Sequence, residues 1–217
     1  MPGPTPRVYK TSEIKSRLLN VARPSTYMVK FTPPPAVQSF IAQRGISYAT
    51  KGENFELSCN VIKTPSTNFL THAVSADYHG VNQEIPYRRA YENEIGLTFY
   101  VDAQYEIVEF FEGWVDYMSG LGSTLAREEY RKPQAFYRQN YYNDYASSSL
   151  FLTKFERSYN RQLGAVEQAE PQKYLEYEMI QAYPKAINSM ELGYAQYDSL
   201  LTLDVTFGYT RYVRVRR

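Results

Sequence analysis

The chain has 217 residues, long enough for one large domain with a substantial core. Its formal net charge is +1, so no global field points to nucleic acid or to a membrane surface, and no apolar run reaches the length of a bilayer crossing. The lone Cys59 excludes an internal disulfide framework and fits a reducing compartment.

In chain order, residues 1–14 are Pro-rich and polar and read as a flexible arm, with no apolar stretch of the kind a signal peptide carries. Glu13 to Leu19 suits a short helix, ended by Ala22-Arg23-Pro24, because the residue before a proline avoids helical dihedrals. Tyr27, Val29 and Phe31 share one side of a first strand over 25–31, which Pro33-Pro34-Pro35 stops. Val37, Phe40 and Ile41 give 36–44 helical spacing, with Gly45 closing it, and the piece reads as an insertion at a hairpin tip. Phe55, Leu57, Cys59 and Val61 alternate and predict a second strand, with Cys59 as a small core residue. Two further strands are expected over 69–79 and 84–91, and Pro86 is placed at a strand edge or at a first strand residue.

Residues 94–120 carry the clearest signal. Ile95, Leu97, Phe99 and Val101 recur at period two. Asp102 stands where an N-cap belongs. Ile107, Phe111, Trp114 and Met118 then recur at helical steps, and Gly120 can adopt the left-handed conformation that ends a helix. This predicts a strand running straight into a core helix that sheet must cover. Beyond it, residues 121–148 interleave Arg127, Arg131 and Arg138 with Tyr130, Phe136, Tyr137, Tyr141, Tyr142 and Tyr145. That composition suits a protein interface, or single-stranded nucleic acid as the competing reading. The whole chain holds 22 tyrosines, a side chain enriched between subunits. Strands are expected over 150–155 and 174–180, with a loop at 158–172 and a break at Ala182–Ile187. The closing strand alternates Leu201, Leu203, Val205, Phe207 and Tyr209 with polar residues. It ends in the basic run Arg211, Arg214, Arg216 and Arg217.

Catalytic chemistry finds no footing. His72 and His79 have no thiol or carboxylate partners at zinc spacing. No nucleophile elbow, P-loop or dinucleotide fingerprint occurs. Glu109, Glu112 and Asp116 line one helix side, but off the apolar stripe, and read as a solvated face. No cofactor and no enzymatic activity is expected. The predicted core is Phe99, Val101, Ile107, Phe111, Trp114, Leu203, Val205 and Phe207.

The ordered set of these pieces resembles the tail tube protein of contractile-tailed bacteriophages. The matching pieces are Ala22-Arg23-Pro24 with Tyr27-Met28-Val29, Phe55–Cys59 with Pro65, Ile85-Pro86-Tyr87 with Arg89, and Leu97–Asp102 with Phe111 and Trp114. The Tyr141–Tyr145 segment, Ala182-Tyr183-Pro184 with Ile187 and Leu192, and Leu203–Phe207 with Tyr209 continue the set. The helix near 36–44, the 121–148 segment and the residues past Tyr209 depart from the family's compact pattern. They leave open a baseplate tube-initiator or the tube protein of a contractile injection system.

The resemblance implies a mainly β fold of two packed, largely antiparallel sheets with one flanking helix at about 103–119. It implies a single domain over 1–217, carrying the 1–14 arm, the 121–148 insertion and a 211–217 basic extension. It implies a virion protein, assembled in the host cytoplasm, whose hexameric rings stack into a tube inside a sheath. Baseplate and tail-terminator proteins bound the tube, double-stranded DNA passes through it, and no stable membrane association is expected. Subunit contacts are then expected at Arg138, Tyr141, Tyr142 and Tyr145. A bore that lets DNA slide must be polar and poor in free cations. The rows opposite the core, Glu176 with Glu178 and Thr202 with Asp204 and Thr206, are the candidates to line it.

Overall fold

The computed structural model describes residues 22, 24–74, 80, 82–120, 139–146, 148–155, 174–193 and 199–215. The elements run β1 (Tyr27–Phe31), α1 (Pro35–Ala42), α2 (Tyr48–Leu57), β2 (Cys59–Ile62), β3 (Thr67–Val74), β4 (Gln83–Tyr91), β5 (Glu94–Tyr100) and α3 (Glu106–Met118). They continue with α4 (Tyr142–Tyr145), β6 (Ser148–Phe155), β7 (Tyr174–Ile187), β8 (Thr202–Gly208) and β9 (Arg211–Val215). The expected arm, the helix at 13–19, residues 121–138 with Arg138, the 158–172 loop and His79 lie outside the described residues.

The fold is mainly β, and every strand pairing is antiparallel. The order is β1-β6-β7-β8-β5-β2, with β9 on β7, and β3-β4 forms a separate two-stranded sheet. Two long bent ribbons underlie it. In the first, β7 does not break at Ala182–Ile187 as its Pro184 suggested. It bends at Gln181, whose φ is +57°, and passes from pairing with β6 and β9 to pairing with β8. The opposite strand bends at Tyr209–Thr210, so β8 and β9 are two arms of one line. The stretch past Tyr209, expected as a basic extension, is thus over 211–215 a sheet strand in register with Glu176–Ile180. In the second ribbon β2-β3 faces β4-β5, and the β3–β4 half leaves the body as a hairpin.

The sheet curls over its core. Phe31 on β1 meets the rings of Phe99 on β5 and Phe207 on β8, together with Tyr48, Phe110 and Phe111. The Tyr27 hydroxyl donates to the Cys59 carbonyl at 3.2 Å and to that of Asn60, so the first and last strands of the order approach one another. Of the predicted core, Phe99, Ile107, Phe111, Trp114, Leu203, Val205 and Phe207 are buried. Val101 is only half-buried. It lies past the end of β5, where its amide donates to the Leu201 carbonyl at 3.0 Å.

The central helix α3 stands where its stripe placed it, and more of it is covered: Val108 and Phe110 are buried beside Ile107, Phe111 and Trp114. Its N-cap is Tyr105, at φ +59°, rather than Asp102. Asp102 still serves the first turn, because its Oδ1 accepts from the Glu106 amide at 3.0 Å. Gly120, at φ +68°, ends the helix as expected, its amide donating to the Tyr117 carbonyl at 3.0 Å.

Two helices join α3 in a layer on the sheet. The 36–44 segment is not a hairpin tip, because β1 pairs with β6 and not with β2, and α1 instead packs on α3. Its Val37, Phe40 and Ile41 are buried as their spacing requires. The strand expected over 55–61 is also overturned: 48–57 is helix, and the strand starts at Cys59. Alternation from Phe55 to Val61 mimics a strand, but Tyr48, Gly52 and Phe55 also recur at helical steps. Leu57, an inward residue of the strand reading, is 69% exposed. Gly52 is required where the Tyr48 ring crosses the helix, since a Cβ there would lie 2.7 Å from a ring carbon. Glu56 then accepts from the Phe31 amide at 3.1 Å, and the Tyr48 hydroxyl donates to the Phe31 carbonyl. Helix side chains thus satisfy backbone groups of Phe31, the last residue of edge strand β1, which stands opposite Leu150 of β6.

Candidate assembly surface

The β3–β4 hairpin is the largest departure from a self-contained subunit. An isolated two-stranded ribbon is marginal in water, and this one turns apolar groups outward on both faces. Phe69 is 61% and Tyr87 67% exposed, and Leu70, Val74 and Ile85 are exposed beside them. A bulge between Leu70 and Thr71 lets Thr71 oppose Pro86, so the residue without an N–H sits at the ladder irregularity. His72, opposite Ile85, is a polar strand residue, and no metal-holding group occurs among the described residues. Sequence reasoning found these strands but not their exposure. The available signal was the adjacent pair Phe69-Leu70, which sends one large apolar group to each face.

At the hairpin's base the described side-chain contacts with the body converge on Tyr212 of β9. Its ring meets Tyr91 edge-on at 5.6 Å between centroids, and its hydroxyl meets Thr67 Oγ1. Arg89 Nη2 donates to the Tyr212 hydroxyl at 3.1 Å and to Thr67 Oγ1 at 3.2 Å.

The tyrosines expected at a subunit contact divide. Tyr141 is 84% exposed. Tyr142 and Tyr145 pack edge-on against one another and against Tyr183, at 5.6–5.7 Å. The Tyr145 carbonyl accepts from Trp114 Nε1 at 3.3 Å, which ties this turn to the core helix. These two rings therefore pack within the subunit, and Tyr142 keeps 40% of its surface exposed.

The five bore candidates lie on strand faces opposite buried rows. Thr202, Asp204 and Thr206 alternate with buried Leu203, Val205 and Phe207. Asp204 is exposed and accepts from Thr98 Oγ1 at 2.6 Å. Glu176 and Glu178 alternate with Tyr177 and buried Met179, and Glu178 accepts from Ser149 Oγ at 2.9 Å. Three cations share this polar side of the sheet. Lys30, in one cross-strand row with Phe151 and Glu178, and Arg211, opposite Ile180, are exposed, while Lys185 is paired with Glu94, whose carboxylate pushes the ammonium pKa upward.

On the helix layer Glu109 and Glu112 are exposed, as a solvated face requires. Asp116 departs from that expectation: it pairs with Arg44 Nη1 at 2.7 Å, and Arg44 itself stacks on Phe40. Partial burial raises the Glu112 carboxyl pKa, with Asp116 and Glu109 adding to it. Cys59 is buried, and burial pushes its thiol up to about 12, far from a reactive thiolate.

A family model described as phage tail tube protein matches residues 22–215. The chain belongs to the phage tail tube protein family. The matched span takes in both ribbons and the helix layer, so the hairpin and the β8–β9 line are parts of the family domain. Among solved structures the family member is similar to a chain of the sheath-tube complex of an extracellular contractile injection system in its extended state. Identity is 11%, coverage 97% of this chain and 100% of that one, and TM-score 0.48. It is similar to a chain of an anti-feeding prophage baseplate at 11% identity, 90% and 96% coverage and TM-score 0.48. It is similar to an Hcp protein at 9% identity, 88% and 92% coverage and TM-score 0.41. A sequence search of curated proteins gives no match. No helix among the described residues is long and apolar enough to cross a membrane.

Proposed function

We propose that this chain is the tube subunit of a contractile tail: six copies close a ring, and rings stack into a hollow conduit inside a sheath. The observation that carries this reading is the β3–β4 hairpin, whose exposed apolar groups need a second copy to cover them. A head-to-tail contact closes into a ring, and ring-on-ring contacts extend it. The role is structural rather than enzymatic. Tyr141 contributes to the subunit contact. The tube meets a sheath protein around it, a baseplate at one end and a terminator at the other, and it forms in the host cytoplasm as part of the virion.

The face bearing Thr202, Asp204, Thr206, Glu176 and Glu178 lines the bore. Double-stranded DNA slides past carboxylates and hydroxyls without the phosphate pairing and counterion release that bind it to free cations. A baseplate tube-initiator built on the same ring, or the tube of an injection system, differs in copy number or cargo rather than in the subunit contacts. Negative-stain microscopy of the purified protein tests the reading. Hollow tubes of uniform width are expected, and a chain that stays monomeric at every concentration overturns it.

A further inference from the structure

We propose that Arg89 is a positioning residue for assembly: gripped between Tyr91 and Tyr212, it fixes the direction in which the β3–β4 hairpin leaves the body. The inference rests on the reading of that hairpin as the contact with a second copy. The β5–β8 ladder ends at Glu94 opposite Gly208, and the Tyr209 amide bonds the Asn93 carbonyl at 3.0 Å. From that point the hairpin departs through the irregular residues 63–66 and 92–93. The connectors are tied to each other by Ser66 Oγ donating to Glu92, and to the body through the Asn93 carbonyl. These ties hold the root, and fixing the arm's angle takes a further brace.

The Arg89 cluster sits at the departure point and supplies one. Its guanidinium carbon lies 4.7 Å from the Tyr91 ring centre and 5.4 Å from that of Tyr212, while Nη2 bonds both Thr67 and Tyr212. Thr67, Arg89 and Tyr91 belong to the hairpin. Tyr212 belongs to β9, where it stands opposite Met179 and packs edge-on against Tyr177 at 5.9 Å. One guanidinium therefore joins both strands of the arm to the sheet. A planar fork that donates in its plane while its face stacks on a ring suits the site, and a lysine ammonium does not.

Leverage makes the angle matter. Eight residues of β3 extend about 26 Å at roughly 3.3 Å per residue, so a swing of about 10° at the base moves the tip by about 4.5 Å. Close-packed contacts do not absorb such a shift. Arg89 is itself exposed, so its role is separable from the core.

The test compares the full-length protein with Arg89→Leu, Arg89→Lys, Tyr212→Phe and a chain in which 68–90 is replaced by a short Gly-Ser turn. Spin labels at Ala73→Cys and Glu109→Cys, in subunits held below the assembly concentration, report the hairpin's angle. Buried Cys59 stays unlabelled. The three point variants should keep the wild-type melting temperature, broaden the label–label distance distribution and raise the protein concentration needed for tubes about tenfold. The lysine variant should behave like the leucine variant. If Arg89→Leu does not fold, Tyr212→Phe, which keeps the ring and loses only the hydroxyl, carries the same comparison. Unchanged distances or an unchanged assembly threshold in the point variants, with the hairpin-less chain unable to assemble, overturns the lock and leaves the assembly reading standing. Tubes from the hairpin-less chain overturn both.

Discussion

Phe207 shows how a single side chain can tie layers together. It stands on β8, and its ring meets Phe31 of β1 and both Phe111 and Trp114 of α3. Phe207→Ala removes those contacts where the aromatic cage cannot collapse, and should cost about 3–5 kcal/mol in urea unfolding. An unchanged midpoint would contradict the cage. Gly52→Ala should destabilise despite the gain in helix propensity, because its Cβ would strike the Tyr48 ring at 2.7 Å. In a Tyr48→Ala background the same Gly52→Ala change should cost less, because the ring it strikes is gone. Cys59 gives a pH prediction. Burial raises its pKa from an ordinary 9.0 to about 12, so the folded state holds the proton more tightly than the unfolded chain. Its contribution is fully present below pH 9.0 and is lost as pH climbs toward about 12. Tyr48, raised by burial and by Glu56, and Tyr209, raised by burial and by Glu92, act in the same direction. Stability by urea titration should decline above about pH 9, and iodoacetamide should label Cys59 only after unfolding.

At the scale of elements, the 141–146 turn and the hairpin separate folding from assembly. Tyr145 packs on Tyr142 and Tyr183 and its carbonyl holds Trp114, so Tyr145→Ser should lower the melting temperature. Tyr141, 84% exposed, has no such duty, and Tyr141→Ser should weaken tube formation while leaving melting unchanged. The reverse assignment would place the subunit contact elsewhere. Replacing Phe69 and Tyr87 together by serine should likewise leave the core intact and abolish tubes, as read by sedimentation. The elements the sequence misassigned share a cause. Residues 55–61 alternate in polarity, but Tyr48, Gly52 and Phe55 also fit one helix face, and packing against β1 and Phe110 selects the helix. Pro184 suggested a break, yet it stands opposite Phe207 beside a register shift, where a missing N–H is tolerated.

For the whole molecule, the charge on the polar face of the sheet becomes a property of the tube. Asp204 is exposed there, and Lys185 is held by Glu94. In the proposed tube, six copies per ring would multiply any change. Asp204→Lys should leave subunit stability within about 1 kcal/mol of wild type, since the position is exposed. It should also make assembled tubes retain DNA at low salt and release it as salt rises. Tubes of this variant that bind no DNA would remove the face from the bore.

The sequence by itself determined the β5–α3 unit and the closing strand. Ile95, Leu97 and Phe99 at period two, Ile107, Phe111 and Trp114 at helical steps, and Leu203, Val205 and Phe207 on one face are one-sided patterns that allow a single burial solution. Gly120 likewise carried its helix end in its own missing Cβ. The sequence also carried the family, through the order of such pieces. Only the tertiary structure decided that β7 passes from one half of the sheet to the other at Gln181, and that 211–215 joins it as a strand. It also decided that Arg89, Tyr91 and Tyr212, far apart in the chain, meet at the root of an apolar hairpin. Those outcomes depend on partners that local periodicity does not encode. A strand's neighbours, and the exposure of both its faces, follow from long-range register, which is fixed when the whole core packs.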